Sequence, residues 1–219
     1  MTRLSDAELT VAWQCASLLL DYPDPQLLER LDLIDSAATG LPAGPGAPLR
    51  RTVAELRGAE LPELERDYVE TFDHTKRHSL FLTWFAHGDT RKRGQALLRF
   101  RETYRAAGVE DSAEELPDHL CLVLEFAATV DRDAGRRLML DHRAGLELLR
   151  LALTETGARW AGALQAVCAT LPPLRGDEHE AIRRLAAEGP PEEEVGLAPY
   201  GGPTLLPVPT VPPAPVGGR

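Results

Sequence analysis

The sequence predicts an all-α protein, a single bundle of about eight helices followed by a disordered Pro/Gly-rich tail. Apolar residues recur every three or four positions through most of the 219 residues, which is the period of one helical face. We find neither an alternation of strands with helices nor a repeat of about 20 to 50 residues, so parallel sheets and solenoids are excluded. With 43% hydrophobic residues the chain can bury a sizeable core.

The first helices are predicted from residues that cap helix N-termini and from turns that end helices. Ser5 is a suitable N-cap for a helix that ends at the turn DYPDP. The apolar positions of this helix share one face: Leu9, Trp13, Ala16 and Leu20. Pro25 opens a second helix, PQLLERLDLI, because a missing N–H costs nothing in a first turn. Residues 39–48, TGLPAGPGAP, predict a linker, and a short helix is expected over residues 51–56.

The middle of the chain combines two helices with one ambiguous segment. Pro62 opens a helix, PELERDYVETF, whose buried face is predicted to carry Leu64, Tyr68 and Phe72. The following residues, 73–90, include SLFLTWF, which would suit a strand but has no visible partner, so we expect an apolar loop or a short helix. The next helix runs from RKRGQALL to a cap at Gly108, with an apolar face formed by Leu97, Phe100 and Tyr104.

The segment LPDHLCLVLEFAA predicts the central core helix. Pro117 suits the first helical position, and Asp118 in the first turn would meet the positive end of the helix dipole. Residues 120–130 are apolar on nearly every side, the pattern of a helix surrounded by others. Glu125 lies within this run and is therefore expected to need a partner, a cavity or a proton.

The last third of the chain predicts three more helices and a tail. RRLMLDHRAGLELLRLALTETG is expected to form one long helix in which residues 141–143, DHR, lie on a solvated face. RWAGALQAVCATL and DEHEAIRRLAAEG supply the other two helices. We therefore expect one helical domain over residues 1–188 and a disordered, proline-rich tail over residues 189–219.

Composition narrows the class of function. The 24 Lys and Arg residues and 34 Asp and Glu residues give a net charge of −10, which disfavours nucleic acids and anionic membranes as partners. The sequence shows no signal peptide and no apolar run long enough to insert into a membrane, so a cytoplasmic location is expected. The three cysteines, Cys15, Cys121 and Cys168, are far apart and are expected to be buried thiols.

Motifs for catalysis are scarce. His74 and His78 have the i, i+4 spacing of a metal-binding helix face, but the glutamate of a His-Glu-x-x-His motif is missing and the two residues directly before His78 are basic. Neither a phosphate-binding loop nor a Gly-x-Ser-x-Gly motif occurs. We expect no enzymatic activity and no cofactor bound by the chain itself. The alternative left open is a small metal-dependent hydrolase that would use His74, His78 and His119.

A peptide-binding protein is the class that remains. Helix bundles offer apolar grooves for amphipathic helices, and an acidic rim would select peptides that carry Lys or Arg. The predicted walls are Leu80, Leu82, Trp84 and Phe85 with the start of the core helix, Leu116 to His119. On composition alone, these residues are equally suited to filling the core.

Several stretches together carry a resemblance to a known family. YVETFD, GDTRKRG and the LPDHL…LEF pattern resemble the nitrate reductase molybdenum cofactor assembly chaperones of the NarJ/NarW family, which is related to the TorD- and DmsD-like redox-enzyme maturation chaperones. The opening segment LLLDYPDPQLLERL is similar to the first helices of that family. The resemblance is dense over residues 66–130, and the tail does not contribute to it.

The resemblance implies a cytoplasmic chaperone. Members of the family bind the immature catalytic (alpha) subunit of respiratory nitrate reductase by its N-terminal segment, until the molybdenum cofactor is inserted and before the subunit docks at the membrane. Cofactor-delivery proteins are expected as further partners. The second alternative is that the chain is a permanent reductase-associated adaptor. The implied peptide-binding residues are Tyr68, Phe72, Leu80, Leu82, Trp84, Leu116, Pro117, Asp118, His119 and Glu125.

Overall fold

The described residues of the chain form eleven α-helices. The computed structural model describes residues 4–110 and 115–189. The helices are α1 Asp6–Leu20, α2 Pro25–Thr39, α3 Ala43–Arg57, α4 Leu61–Tyr68, α5 Trp84–His87, α6 Arg91–Ala106, α7 Leu120–Thr129, α8 Arg132–Asp141, α9 Arg143–Glu155, α10 Ala161–Thr170 and α11 Gly176–Glu188. A π-helical turn, Val69–Asp73, extends α4, and a 3₁₀ turn covers Lys76–His78. The all-α prediction is confirmed.

The core lies between α1, α3, α7 and α10. Helix α1 packs against α7 and α10, and α3 packs against α2 and α10. The predicted central helix α7 buries Leu120, Val123 and Leu124 completely, which confirms its place in the core. Buried polar groups link these helices, since the Trp13 indole nitrogen of α1 donates to the Thr170 hydroxyl of α10 at 2.8 Å.

Two glycines allow the closest approaches between helices. A Cβ atom at Gly162 would overlap the backbone of Pro48, and one at Gly135 would lie 2.5 Å from the Ala127 side chain. Real Cβ contacts are not this short, so α10 can approach α3, and α8 can approach α7, because these positions lack a side chain.

The predicted linker over residues 39–48 is wrong, because α3 begins at Ala43 and includes most of it. Pro45 lies in the first turn, where its missing N–H has no intrahelical partner in any case. Pro48 lies further in and does remove a helical hydrogen bond. The helix persists because Leu49, Val53 and Leu56 are fully buried, and this burial outweighs the loss.

The predicted long helix over residues 136–157 is divided at His142, between α8 and α9. The His142 ring lies 5.3 Å from the Phe100 ring, so the break turns a side chain onto α6. The predicted solvated face at residues 141–143 is wrong for Arg143, which is 6% exposed and forms an ion pair with Glu147 at 2.6 Å. The charge is compatible with burial because its partner lies one turn along the same helix.

Other expectations have clear outcomes. The three cysteines are buried and free, as predicted, and burial raises the pKa of Cys15 to about 11. None of the helices in the described part of the chain is long and apolar enough to cross a membrane. The helix predicted over residues 177–189 is present as α11. The predicted tail lies outside the described residues from position 190 onward.

Candidate peptide-binding site

Two loops that are distant in sequence lie side by side. The backbone N–H of Leu82 donates to the Asp118 carbonyl at 3.0 Å, and the Leu120 N–H donates to the Leu80 carbonyl at 2.9 Å. These bonds form an isolated antiparallel bridge between Phe81 and His119. We call residues 80–84 and 116–120 the paired loops. Phe81 therefore has a strand-like partner in His119. The local sequence could not indicate this partner, because the two residues are distant along the chain.

Asp118 joins the paired loops through its side chain. It is 0% exposed, and its Oδ2 atom accepts hydrogen bonds from the Thr83 backbone N–H at 3.1 Å and the Thr83 hydroxyl at 2.5 Å. The predicted helical positions of Pro117 and Asp118 are wrong, because α7 begins at Leu120 with His119 as its N-cap. A buried carboxylate requires hydrogen-bond donors, and Thr83 supplies two of them.

Arg93 of α6 completes this connection. Its Nη2 lies 3.8 Å from Asp118 Oδ2, and its Nε donates to the Thr83 hydroxyl oxygen at 3.2 Å. The guanidinium also lies over two rings, 5.3 Å from the centre of Phe81 and 6.0 Å from that of Trp84. Arg93 thus binds both the charge and the aromatic groups of the paired loops.

A partly exposed aromatic surface covers this charged centre. The Phe81 and His119 rings are 5.2 Å apart, and neither residue is fully buried. The Trp84 indole N–H is buried and has no hydrogen-bond partner among the described residues. Burial lowers the pKa of His119, although Glu115 and Asp21 act in the opposite direction.

Tyr68 and Phe72 belong to a second aromatic cluster beside the paired loops. Their rings are 4.6 Å apart, and both lie 5.4 Å from the Trp160 ring. The Tyr68 hydroxyl donates to the Leu20 carbonyl at 3.0 Å. On the outer side, Tyr22 stacks edge-on against Tyr68 at 5.3 Å and is 47% exposed.

Asp21 and Glu115 affect the pKa of a residue in each group, Tyr68 in the second aromatic cluster and His119 in the paired loops. Burial raises the pKa of Tyr68, and Asp21 and Glu115 raise it further. The same two acids act on the pKa of His119. Asp21 and Glu115 are exposed and give this part of the surface a negative charge.

A cavity of about 480 Å³ opens next to Tyr22. Its apolar walls are Tyr22, Pro62 and Val69, and its charged walls are Glu65, Glu70, Arg66 and His74. The π-helical turn contributes Val69 and Glu70, because the extra residue in this turn redirects the side chains after α4.

The remaining predicted site residues differ in exposure. Leu80 and Leu82 are 4% and 2% exposed and fill the core below the paired loops, while Leu116 is 38% exposed at their edge. Pro117 is buried, and its carbonyl accepts a hydrogen bond from the Tyr104 hydroxyl at 2.7 Å.

Glu125 is exposed on α7, so the expectation that it needs a buried partner or a cavity is wrong. His74 is exposed, whereas His78 is buried and its Nδ1 lies 2.9 Å from the Thr71 carbonyl. They do not share a helical face, since His74 follows the π-helical turn and His78 ends the 3₁₀ turn. No group of three metal-binding side chains occurs within residues 4–110 and 115–189.

Sequence reasoning missed Thr83, Arg93 and Tyr22 as parts of this region. One signal was available for Arg93, which precedes Leu97, Phe100 and Tyr104 at helical spacing and so places a charge on the apolar face of α6. No comparable pattern marks Thr83, whose role depends on a residue 35 positions away.

Comparison with solved structures defines the class of fold. The chain superimposes on a crystal structure described as a "putative redox enzyme maturation protein" from Archaeoglobus fulgidus, with a TM-score of 0.54 and 21% identity. The alignment covers 77% of this chain and 94% of that one. The likeness establishes a shared fold.

Sequence comparisons then identify the family. Residues 38–166 match the family described as "Nitrate reductase delta subunit", and the chain belongs to that family. It is 30% identical over 172 residues to the probable nitrate reductase molybdenum cofactor assembly chaperone NarJ of Bacillus subtilis, covering 77% of this chain and 92% of that protein. The resemblance seen in the sequence motifs is confirmed. The hydrolase alternative requires His74, His78 and His119 at one metal site, and these residues form no metal-binding group among the described residues.

A further relative is much longer than this chain. The nitrate reductase-like protein NarX of Mycobacterium tuberculosis is 46% identical over 164 residues, which is 73% of this chain and 24% of that protein. The chain therefore spans about a quarter of the length of this relative.

Proposed function

We propose that the protein is a cytoplasmic chaperone in the maturation of a respiratory nitrate reductase. It binds the N-terminal segment of the immature catalytic (alpha) subunit while the molybdenum cofactor is inserted, and delays membrane docking until then. Cofactor-delivery proteins would meet the chaperone with its client. The observation that carries this proposal is the match over 92% of a Bacillus subtilis protein named as a molybdenum cofactor assembly chaperone.

The paired loops and the second aromatic cluster support a location for the peptide. Exposed Tyr22 and Leu116 and half-buried Phe81 offer apolar contacts. The exposed acids Asp21 and Glu115 directly precede Tyr22 and Leu116 and add negative charge beside them. An amphipathic helix that carries Lys or Arg beside its apolar face would complement this surface. The buried residues Leu80, Leu82 and Asp118 would then position the surface without touching the peptide.

Calorimetric titration tests the proposal directly. The full chain is titrated with a synthetic peptide from the N-terminus of the same organism's catalytic subunit, with a scrambled peptide as the control. We expect saturable one-to-one binding of the true peptide alone, and weaker binding as salt is raised, because charge attraction is screened. Absence of binding to a folded, helical sample would refute recognition of that segment.

Two variants test the location. Tyr22→Ser removes an exposed ring next to the cavity of about 480 Å³ and should weaken peptide binding. Leu33→Ser removes a side chain that is 71% exposed on α2 and serves as the matched control. Equal affinity in the two variants would place the peptide elsewhere.

The permanent-adaptor alternative predicts a different composition of the mature enzyme. A chaperone leaves its client, so the purified, cofactor-loaded reductase should lack this chain, whereas the immature subunit should carry it. Stoichiometric recovery with the active membrane-bound enzyme would favour the adaptor.

A further inference from the structure

A second cavity lies away from the paired loops, between α9, α10 and the segment that leads into α11. Its volume is about 630 Å³, within the range of about 300–1,000 Å³ usual for small-molecule sites. One wall is apolar, formed by Ala169, Pro173 and Leu174. The polar wall consists of Arg143, Glu147, Arg150, Gln165, Cys168 and His179.

The ion pairs in this cavity leave an excess of positive charge. Arg143 Nη2 lies 2.6 Å from one oxygen of Glu147, and Arg150 Nε lies 2.6 Å from the other. Two guanidinium groups therefore share one carboxylate, so the positive charges outnumber the negative charge. The net charge of this cavity wall is therefore positive, whereas the whole chain has a net charge of −10.

Arg143 also has hydrogen-bonding capacity that the protein does not use. Its side chain is 6% exposed, and Nη1 and Nη2 both reach the Cys168 carbonyl at 3.4 Å. Its Nε–H is buried and lacks a hydrogen-bond partner in the described part of the chain. An unpaired buried donor on a charged group is unfavourable, and an anion in the cavity would supply the missing acceptor.

The neighbouring polar groups are already occupied. Gln165 accepts a hydrogen bond from Arg51 and donates one to the Thr154 hydroxyl at 3.1 Å. His179 Nδ1 lies 2.8 Å from the Arg175 carbonyl. The two arginines are thus the groups best suited to meet a ligand.

We infer that this cavity binds a small phosphate-bearing anion through Arg143 and Arg150. Planar guanidinium groups match the oxygen spacing of phosphate, and the apolar wall leaves room for an organic group attached to it. Because His179 of α11 lines the same cavity as the two arginines of α9, an anion bound there would lie against both helices, and opening of α11 would expose it. This inference is independent of the proposed chaperone function.

The first test is calorimetric titration of the full chain with inorganic phosphate at fixed ionic strength. Arg150→Gln should weaken phosphate binding by about tenfold or more, because it removes a charged hydrogen-bond donor. The substitution is tolerable for folding, since Glu147 keeps its contact with Arg143. Arg66→Gln removes the same charge from a side chain that is 68% exposed and should leave binding unchanged.

Two outcomes of this titration identify the source of the phosphate group, and two others overturn the inference. Adenosine monophosphate that competes with phosphate and binds more tightly would identify an organic phosphate, whereas phosphate binding alone would identify the free ion. No binding by the unmodified chain would overturn the inference. So would equal weakening in Arg66→Gln and Arg150→Gln, because that result would report net charge alone.

Hydrogen exchange provides a second measurement that does not depend on a variant. If opening of α11 requires release of the anion, phosphate at a hundredfold excess over its Kd should slow exchange in α11 by up to about a hundredfold. Amides of α2, remote from the cavity, provide the internal control. Phosphate binding without any change in α11 exchange would show that the anion occupies another place.

Discussion

Replacing Asp118 with asparagine tests the bond that holds the paired loops together. The Asp118 side chain is 0% exposed, and its Oδ2 accepts two hydrogen bonds from Thr83, at 3.1 and 2.5 Å. Asparagine has nearly the same size and keeps an acceptor oxygen for Thr83. The substitution therefore removes the negative charge that faces Arg93 and leaves the packing in place.

The expected loss of stability follows from these contacts. A hydrogen bond to a charged group contributes about 1.5–3 kcal/mol, and one between neutral groups contributes about 0.5–1.5 kcal/mol. With two such bonds weakened, Asp118→Asn should lower the free energy of unfolding by about 2 kcal/mol, which corresponds to a Tm lower by about 4–8 °C. Asp118→Ala loses both bonds and should cost about 3–5 kcal/mol.

Urea unfolding followed by circular dichroism measures the effect. Asp141→Asn is the control, because Asp141 forms an ion pair with Arg99 at 2.8 Å but is 40% exposed, and such surface pairs contribute about 0–1 kcal/mol. Similar losses in the Asp118 and Asp141 variants would refute the assignment of a buried bond. A double-mutant cycle with Arg93→Gln then isolates the pairwise contribution, and additive losses would remove Arg93 from the connection.

Three further predictions concern stability and the tail. Burial lowers the pKa of His119 and His142 below the usual 6.5. As pH falls through that value, the unfolded chain binds more protons than the folded chain, so the free energy of unfolding should decrease. Urea midpoints from about pH 7.5 to about pH 5.5 measure this, and an unchanged slope in His142→Gln would contradict the assignment. Gly162→Ala should cost about 1–3 kcal/mol by overlapping α3, whereas Gly176→Ala, which faces open space, should be nearly neutral in the same urea assay. Deleting residues 190–219 should leave peptide affinity and Tm unchanged, and a loss of several degrees would show that the tail docks.

The elements that local chemistry controls were predictable. Ser5 caps α1 with a capping box, Asp24 caps α2 before Pro25, and six of the ten residues of α7 are buried. Each of these outcomes depends on residues within one or two turns of each other, so one segment of sequence contains the whole signal.

The candidate site was predictable in part. Motif resemblance identified both loops, but the assignment of Asp118 to a helical turn was wrong because its partners, Thr83 and Arg93, are distant in sequence. Leu80 and Leu82 suited either a groove wall or the core, and only their burial decides between these alternatives. Exposure depends on which other elements pack nearby, and periodicity does not contain that information.

The sequence by itself determined the helical class, the family and most helix ends, because capping, periodicity and motifs act over short distances. Only the tertiary structure decided that residues 43–48 are helical, that residues 136–157 divide at His142, and that Arg143 is buried. The physical reason is the same in each case. Burial of Leu49 and Val53, the contact of His142 with Phe100 and the hydrogen bonds of Arg143 to the Cys168 carbonyl join residues distant in sequence, and such contacts outweigh the local preference of the chain.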